Sequence, residues 1–154
     1  MAGQVPSVAS SVRRVHVEPD RCHGCQTCML ACSLSHEGQC HLGLARVRVR
    51  KDMARFLFEI RICQHCESPE CLAACPTGAL SLDERGVVLM DDGVCTRCGL
   101  CADACPYDAI FYNAEADRYL KCDLCAGRAE GPLCVALCPT GALTVSEAGT
   151  GGEV

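Results

Sequence analysis

The sequence predicts an α+β fold in which small strands and short helices form two nested modules. Three observations carry that prediction. Sixteen of the seventeen cysteines fall into four groups of four. Groups two, three and four each end in Cys-Pro, and groups two and four continue identically as Pro-Thr-Gly-Ala-Leu. Short strand-like runs recur between the groups, so the repeating unit is strand, loop, helix.

The third group, Cys95, Cys98, Cys101 and Cys105 with Pro106 after it, reads C-x2-C-x2-C-x3-C-P. That is the bacterial run for holding [4Fe–4S] clusters. Three cysteines two residues apart let a tight loop wrap three corners of one cubane, and the fourth, a helical turn on, points toward a second cluster. Pro106 turns the chain out of that helix because it has no N–H to continue it. Group one is Cys22, Cys25, Cys28 and Cys32; group two is Cys63, Cys66, Cys71 and Cys75; group four is Cys122, Cys125, Cys134 and Cys138. The expected cofactors are four [4Fe–4S] clusters.

Rival readings fit the spacing less well. The Cys-x2-Cys pairs are too close to bridge comfortably as disulfides, and no signal peptide is read at the start. Zinc sites use Cys-x2-Cys knuckles in distant pairs, not a triplet with a remote fourth. A redox Cys-x-x-Cys motif explains one pair, not four groups. Cys40 is left over and reads as a free loop thiol.

Composition bounds the rest. The chain has no Trp, 4% aromatic residues and a formal charge of −5. So little conventional core makes folding depend on the clusters, and the apo chain should be largely unfolded. Clusters add further negative charge, which opposes nucleic-acid binding. No apolar run approaches membrane-spanning length. Arg13-Arg14 is followed by Val-His-Val-Glu-Pro-Asp where a twin-arginine leader needs an apolar stretch. A cytoplasmic, anaerobic setting is expected because thiolate-held clusters oxidise.

Along the chain, residues 1–11 read as a flexible start and Val12 to Val17 as a strand. Cys25 to His36 has helical character, with Met29, Leu30 and Leu34 packing around the first cluster. Residues 37–62 read as an inserted loop and hairpin, with strands at 46–51 and 56–62. The first of these carries Arg46, Arg48, Arg50 and Lys51 on a basic face. That face either protects an edge strand from aggregation or docks an acidic partner. Strands follow at 79–82 and 87–90 around the turn 83–86, and at 109–112. Asp117 to Leu120 leads into group four, 142–145 is a strand, and 147–154 reads as a Gly-rich flexible tail. Residues 60–113 thus form an inner two-cluster ferredoxin module, and 12–36 plus 118–146 an outer one. His23, His65, Arg97 and Lys121 lie beside candidate ligands and read as solvent-facing loop residues.

In two-cluster ferredoxins the fourth cysteine of each run ligates the other cluster. For the inner module this joins Cys63, Cys66 and Cys71 with Cys105, and Cys95, Cys98 and Cys101 with Cys75. No substrate site is read: there is no Ser–His–Asp frame and no phosphate-binding glycine loop.

From Val15 to Val145 the sequence resembles the four-cluster, ferredoxin-like electron-transfer subunits of bacterial and archaeal oxidoreductases. These include the iron–sulfur subunits of dimethyl-sulfoxide reductase, formate dehydrogenase, hydrogenases and carbon monoxide dehydrogenase. The phrases Ala31-Cys-Ser-Leu-Ser-His-Glu-Gly38 and Lys121-Cys-Asp-Leu-Cys-Ala-Gly127 are most similar to the small subunits of tungsten aldehyde oxidoreductases. With the nested order, the resemblance implies that Cys22, Cys25 and Cys28 join Cys138, and that Cys122, Cys125 and Cys134 join Cys32. It also implies a non-catalytic wire passing single electrons between a large tungstopterin (or molybdopterin) subunit and an acceptor such as a flavin/NAD subunit. A diffusible polyferredoxin is the rival, and end-to-end self-association of copies is a further expectation. Group one departs from the pattern, with Ser33 where the others have proline, which a helix continuing through that point would explain.

Overall fold

The computed structural model describes residues 13–146, so Val12 and the two tails read as flexible lie outside it. Eight short strands pair as four separate antiparallel hairpin-like ribbons. β1 (Arg14–Val17) pairs with β8 (Leu143–Ser146), in register Val15 to Val145 and Val17 to Leu143. The two ends of the described chain are therefore joined, and every other element lies between them. β2 (Arg48–Asp52) pairs with β3 (Leu57–Arg61), and β4 (Leu80–Leu82) with β5 (Val88–Met90). β6 (Ile110–Asn113) pairs with β7 (Arg118–Lys121).

The helices are short and carry cysteines. They are α1 (Thr27–Glu37), α2 (Glu70–Ala74), α3 (Leu100–Asp103) and α4 (Leu133–Ala136). Among the described residues no helix is long and apolar enough to cross a membrane. α1 is the exception in length because nothing stops it at Cys32. Ser33, fully buried there, donates to the Leu30 carbonyl at 3.1 Å and accepts the His41 N–H at 2.9 Å. A proline at this position would break the helix. The helix ends instead at Gly38, whose φ of 69° lets its N–H reach back to the Leu34 carbonyl.

Sulfur forms much of the interior. The larger buried cluster joins Val15, Met29, Val47, Val49, Ile62 and Leu143 with Cys28, Cys32, Cys63, Cys122 and Cys134. The smaller joins Leu80, Val88 and Ile110 with Cys71 and Cys101. Among the described residues, cysteines supply eight of the twenty-five buried hydrophobic side chains.

Two expectations are corrected here. The run 117–120 contributes β7, a paired strand, where only a lead-in was read; its partner β6 closes the hairpin around the turn at Asn113 and Ala116. The basic face of 46–51 is also not a free patch. Arg46 pairs with Asp123 at 3.1 Å and Glu37 at 3.9 Å. Arg48 donates to the carbonyls of Leu42 and Gly43 and lies over the Phe111 ring. Arg50 faces Glu59 across the hairpin at 3.7 Å, and Lys51 is left exposed.

Glu37 is the hub of this network, since Arg118 also meets it at 2.5 Å while its other guanidinium nitrogen reaches Asp92 at 3.3 Å. It ties the end of α1 to β7 and to the segment before β2. Glu37→Ala should therefore take one of two acidic partners from each of two half-buried guanidinium groups, leaving Arg46 with Asp123 and Arg118 with Asp92. The expected result is a fall of roughly 2–6 °C in the midpoint of anaerobic thermal unfolding, whereas Glu59→Ala, in an exposed pair, should leave the midpoint unchanged within error.

Candidate metal centres

The four cysteine loops share one backbone device. The residue two places after the leading cysteine has a positive φ in every group: Gly24 at 67°, His65 at 45°, Arg97 at 61° and Leu124 at 55°. In each case its N–H donates to the sulfur of that leading cysteine, Cys22, Cys63, Cys95 or Cys122, at 3.4 Å. The left-handed step turns the amide back onto sulfur and brings the second cysteine to the same side as the first. Groups one and three repeat the step after their second cysteine, at Gln26 (63°) and Gly99 (83°), and each of these residues caps the helix that follows. In group four Cys125 itself takes it, at 51°. Non-glycine residues pay about 1 kcal/mol or more for this conformation, and their recurrence in all four loops marks a functional shape.

The cysteines gather into four sets, each mixing two groups. Cys22, Cys25 and Cys28 share a cavity with Cys138, walled by Val49, Ile60 and Leu143. Cys63, Cys66 and Cys71 share one with Cys105, walled by Val88, Tyr107 and Ile110. Cys95, Cys98 and Cys101 share one with Cys75, walled by Leu80, Met90 and Tyr119. Cys134 lies near enough to Cys32, Cys125 and Cys28, and Cys122 to Cys134, Cys63 and Cys32, for their charges to be felt, so Cys32, Cys122, Cys125 and Cys134 are the remaining set. All four of these are buried, while Cys25 and Cys98 are exposed. Cys40 is exposed and belongs to none of the sets.

Burial sets the acidity of the thiols. It pushes Cys28 and Cys134 up to about 12 and Cys71 to about 11, with neighbouring thiols adding to the rise. Cys122 rises well above the ordinary thiol value for the same reason. The two Pro-Thr-Gly-Ala-Leu repeats do the opposite. At Cys75 burial costs something, but donors from the Thr77 hydroxyl and the N–H groups of Thr77, Ala79 and Leu80 outweigh it and bring the thiol to about 7. Cys138 is lowered likewise, against burial, by the N–H of Leu143 and by Thr140. The glycines of the repeats, Gly78 (69°) and Gly141 (66°), provide the turn that aims these amides at sulfur.

The donor sets fit an iron–sulfur cluster. They are all sulfur, with three ligands on a single loop, a fourth from another group and an N–H on a sulfur of each loop, which suits a soft, anionic core. Loading such a site must expel the protons that burial keeps on the thiols.

Four neighbours of these sets were read as facing solvent, and the structure divides them. His23 and Arg97 are exposed, as read, and Arg97 pairs with Asp117. His65 and Lys121 are instead buried, at 0% and 4% exposure. His65 Nδ1 accepts the Val88 N–H at 3.1 Å, and Lys121 Nζ donates to the carbonyls of Val88 at 2.6 Å and Cys122 at 3.0 Å. Burial, with the Lys121 charge, pushes His65 down to about 3 and keeps it neutral. Sequence reasoning also missed the trio His36, Asp123 and Cys125. Asp123 accepts from His36 Nε2 at 2.8 Å, from Arg46 and from the Cys125 N–H at 2.9 Å, so it orders the fourth loop against α1. Burial works against charge on His36, but Asp123 and Cys32 overcome it and raise it to about 10.

Comparison with known proteins bears on these centres. Residues 54–148 match a family described as "4Fe-4S dicluster domain", and residues 19–38 match one described as "4Fe-4S binding domain". The chain is 35% identical over 133 residues to the thiosulfate reductase electron transfer subunit PhsB of Salmonella typhi, covering 80% of this chain and 69% of that one. It is 36% identical over 143 residues to DmsB, a subunit of the anaerobic dimethyl sulfoxide reductase of Escherichia coli, covering 82% and 69%. Across its curated relatives the chain spans between 28% and 69% of their lengths. Among solved structures it is similar to a chain of the active site complex BamBC of benzoyl coenzyme A reductase, with a TM-score of 0.55 and 29% identity, over 88% of this chain and 80% of that one.

Gly24 offers a direct test of the loop geometry. A Cβ there would lie 2.5 Å from the Phe58 ring on a backbone with φ of +67°, whereas Gly127 has open space around it. Gly24→Ala is expected to lower the iron bound per chain after anaerobic purification, and Gly127→Ala to leave it at the wild-type value.

Proposed function

The chain belongs to the 4Fe-4S dicluster domain family, and from that premise we propose that it is the electron-transfer subunit of an oxidoreductase complex, holding four [4Fe–4S] clusters. The gathering of sixteen thiols into four mixed sets carries the reading. The ligand sets are Cys22, Cys25, Cys28 and Cys138; Cys32, Cys122, Cys125 and Cys134; Cys63, Cys66, Cys71 and Cys105; and Cys75, Cys95, Cys98 and Cys101. When bound, such clusters supply one-electron exchange at potentials set by their surroundings.

The residues of the chain arrange these sites in a row. Cys28 acts on Cys134, and Cys63 acts on Cys122, so the first and third sets both adjoin the Cys32 set. α2 and α3, each with the residues just beyond it, carry cysteines of the third and fourth sets together, Cys71 with Cys75 and Cys101 with Cys105. Water is kept from the middle, where all four sulfurs of the Cys32 set are buried, and admitted at the ends, where Cys25 and Cys98 are exposed. Electrons enter at one end and leave at the other. The rest of the described chain holds the sites.

The partner follows from the resemblance. The phrases at 31–38 and 121–127 favour a large tungstopterin subunit of the aldehyde oxidoreductase type, with a flavin/NAD subunit as acceptor. Similarity to PhsB and DmsB favours a molybdopterin enzyme of the same broad class. Two measurements test the whole reading. Anaerobically reconstituted chain should bind about sixteen irons, and Cys138→Ser should disturb one cluster while leaving the signals of the others. About twelve irons or fewer in fully loaded wild type would remove a cluster. Purification from the native host should bring down a large subunit with tungsten or molybdenum; iron and sulfide with no second chain would identify a diffusible carrier instead.

A further inference from the structure

Lys121 is a buried cation whose printed partners are backbone carbonyls, those of Val88 and Cys122. Among the described residues no carboxylate pairs with its Nζ. Asp123, the acidic residue nearest in sequence, is taken by His36, Arg46 and the Cys125 N–H. Asp83, which also faces His65, is taken by Arg85 and the Val87 N–H. Two of the three ammonium protons go to backbone carbonyls, which solvate the charge but do not neutralise it. A buried ammonium in that position is strongly unfavourable unless an anion sits nearby.

The neighbourhood shows where that anion belongs. Val88 lines the cavity of Cys63, Cys66, Cys71 and Cys105, and its peptide is gripped from both sides, its N–H by His65 and its carbonyl by Lys121. The Lys121 charge is felt at Cys71, where it pulls the thiol down against the upward push of burial. Its other carbonyl partner belongs to Cys122, of the adjoining thiol set. The ammonium thus stands at the junction of two sets, fixed by the His65–Val88–Lys121 clamp.

We propose that Lys121 is the counter-charge of the two middle centres and holds their reduction potentials above the values they would have without it. This rests on the four-cluster reading above. An added electron makes a cluster more negative, so a fixed cation beside it favours the reduced form. Lys121 acts here as a positioning residue for charge, with His65 and Val88 keeping it in place.

The test is an anaerobic redox titration of the full chain followed by electron paramagnetic resonance, on wild type, Lys121→Gln and Lys121→Arg, with iron counted in each sample. Gln keeps a donor for the Val88 carbonyl and removes the charge; Arg keeps the charge. In Lys121→Gln one or two couples should shift at least tenfold toward the oxidised form, about 59 mV downward for a single electron, while the others stay and Lys121→Arg remains close to wild type. Loss of iron in Lys121→Gln with full loading of Lys121→Arg would support the same role. Unchanged potentials in a fully loaded Lys121→Gln, or equal loss of iron in both variants, would overturn it. A wild-type chain well short of about sixteen irons would instead overturn the cluster reading, and this proposal with it.

Discussion

An N–H turned back onto a sulfur is the contact on which this structure depends. The leading cysteine of each loop receives one, from the residue two places past it and at a left-handed step. The step is strained for His65, Arg97 and Leu124, and it is what points successive sulfurs at one centre. Since the fourth sulfur of each set arrives from another group, the loops cannot be satisfied one at a time. α1 must meet α4, and α2 must meet α3, before any set is complete. The sulfurs then serve as core, standing among Val15, Val47, Ile62 and Leu143 where a larger domain would have aromatic side chains.

Much of this was legible in the sequence because ligand chemistry fixes spacing. The cysteine runs located the loops, and the alternating segments located seven of the eight strands to within a residue or two. β7 was lost because Arg118 and Lys121 flank only two apolar residues, and a buried lysine defeats a reading that assigns charge to the surface. The basic strip at 46–51 was misread for a related reason. Its cations were visible, but the acids that absorb Arg46, Glu37 at the end of α1 and Asp123 in the fourth loop, become its neighbours only in three dimensions. His65 was placed in solvent because it sits inside a loop of candidate ligands; nothing local signals that Val88 folds over it.

The two kinds of cysteine differ in a way the repeats explain. Burial holds protons on Cys28, Cys71, Cys122 and Cys134, whereas Cys75 and Cys138 sit in turns whose amides and threonine hydroxyls favour the thiolate. The same five residues, Pro-Thr-Gly-Ala-Leu, build both turns, so this repetition is one electrostatic device used twice. These turns ease the loss of a proton to iron at Cys75 and Cys138, while burial opposes it at Cys28, Cys71, Cys122 and Cys134. The protein's charge is thus graded from within as well as across its surface.

The pairing of β1 with β8 has a consequence for how the molecule is made. A ribosome releases Cys22, Cys25 and Cys28 ahead of the other cysteine groups, yet Cys138, which shares their cavity, is the last cysteine made, and Leu143, which walls it, comes after it. The cysteines from Cys63 to Cys105 can come together while translation is still under way. Of the four cysteine loops, the first to be made waits for the last to be closed, and its thiols stand open to the cell while everything between is being built.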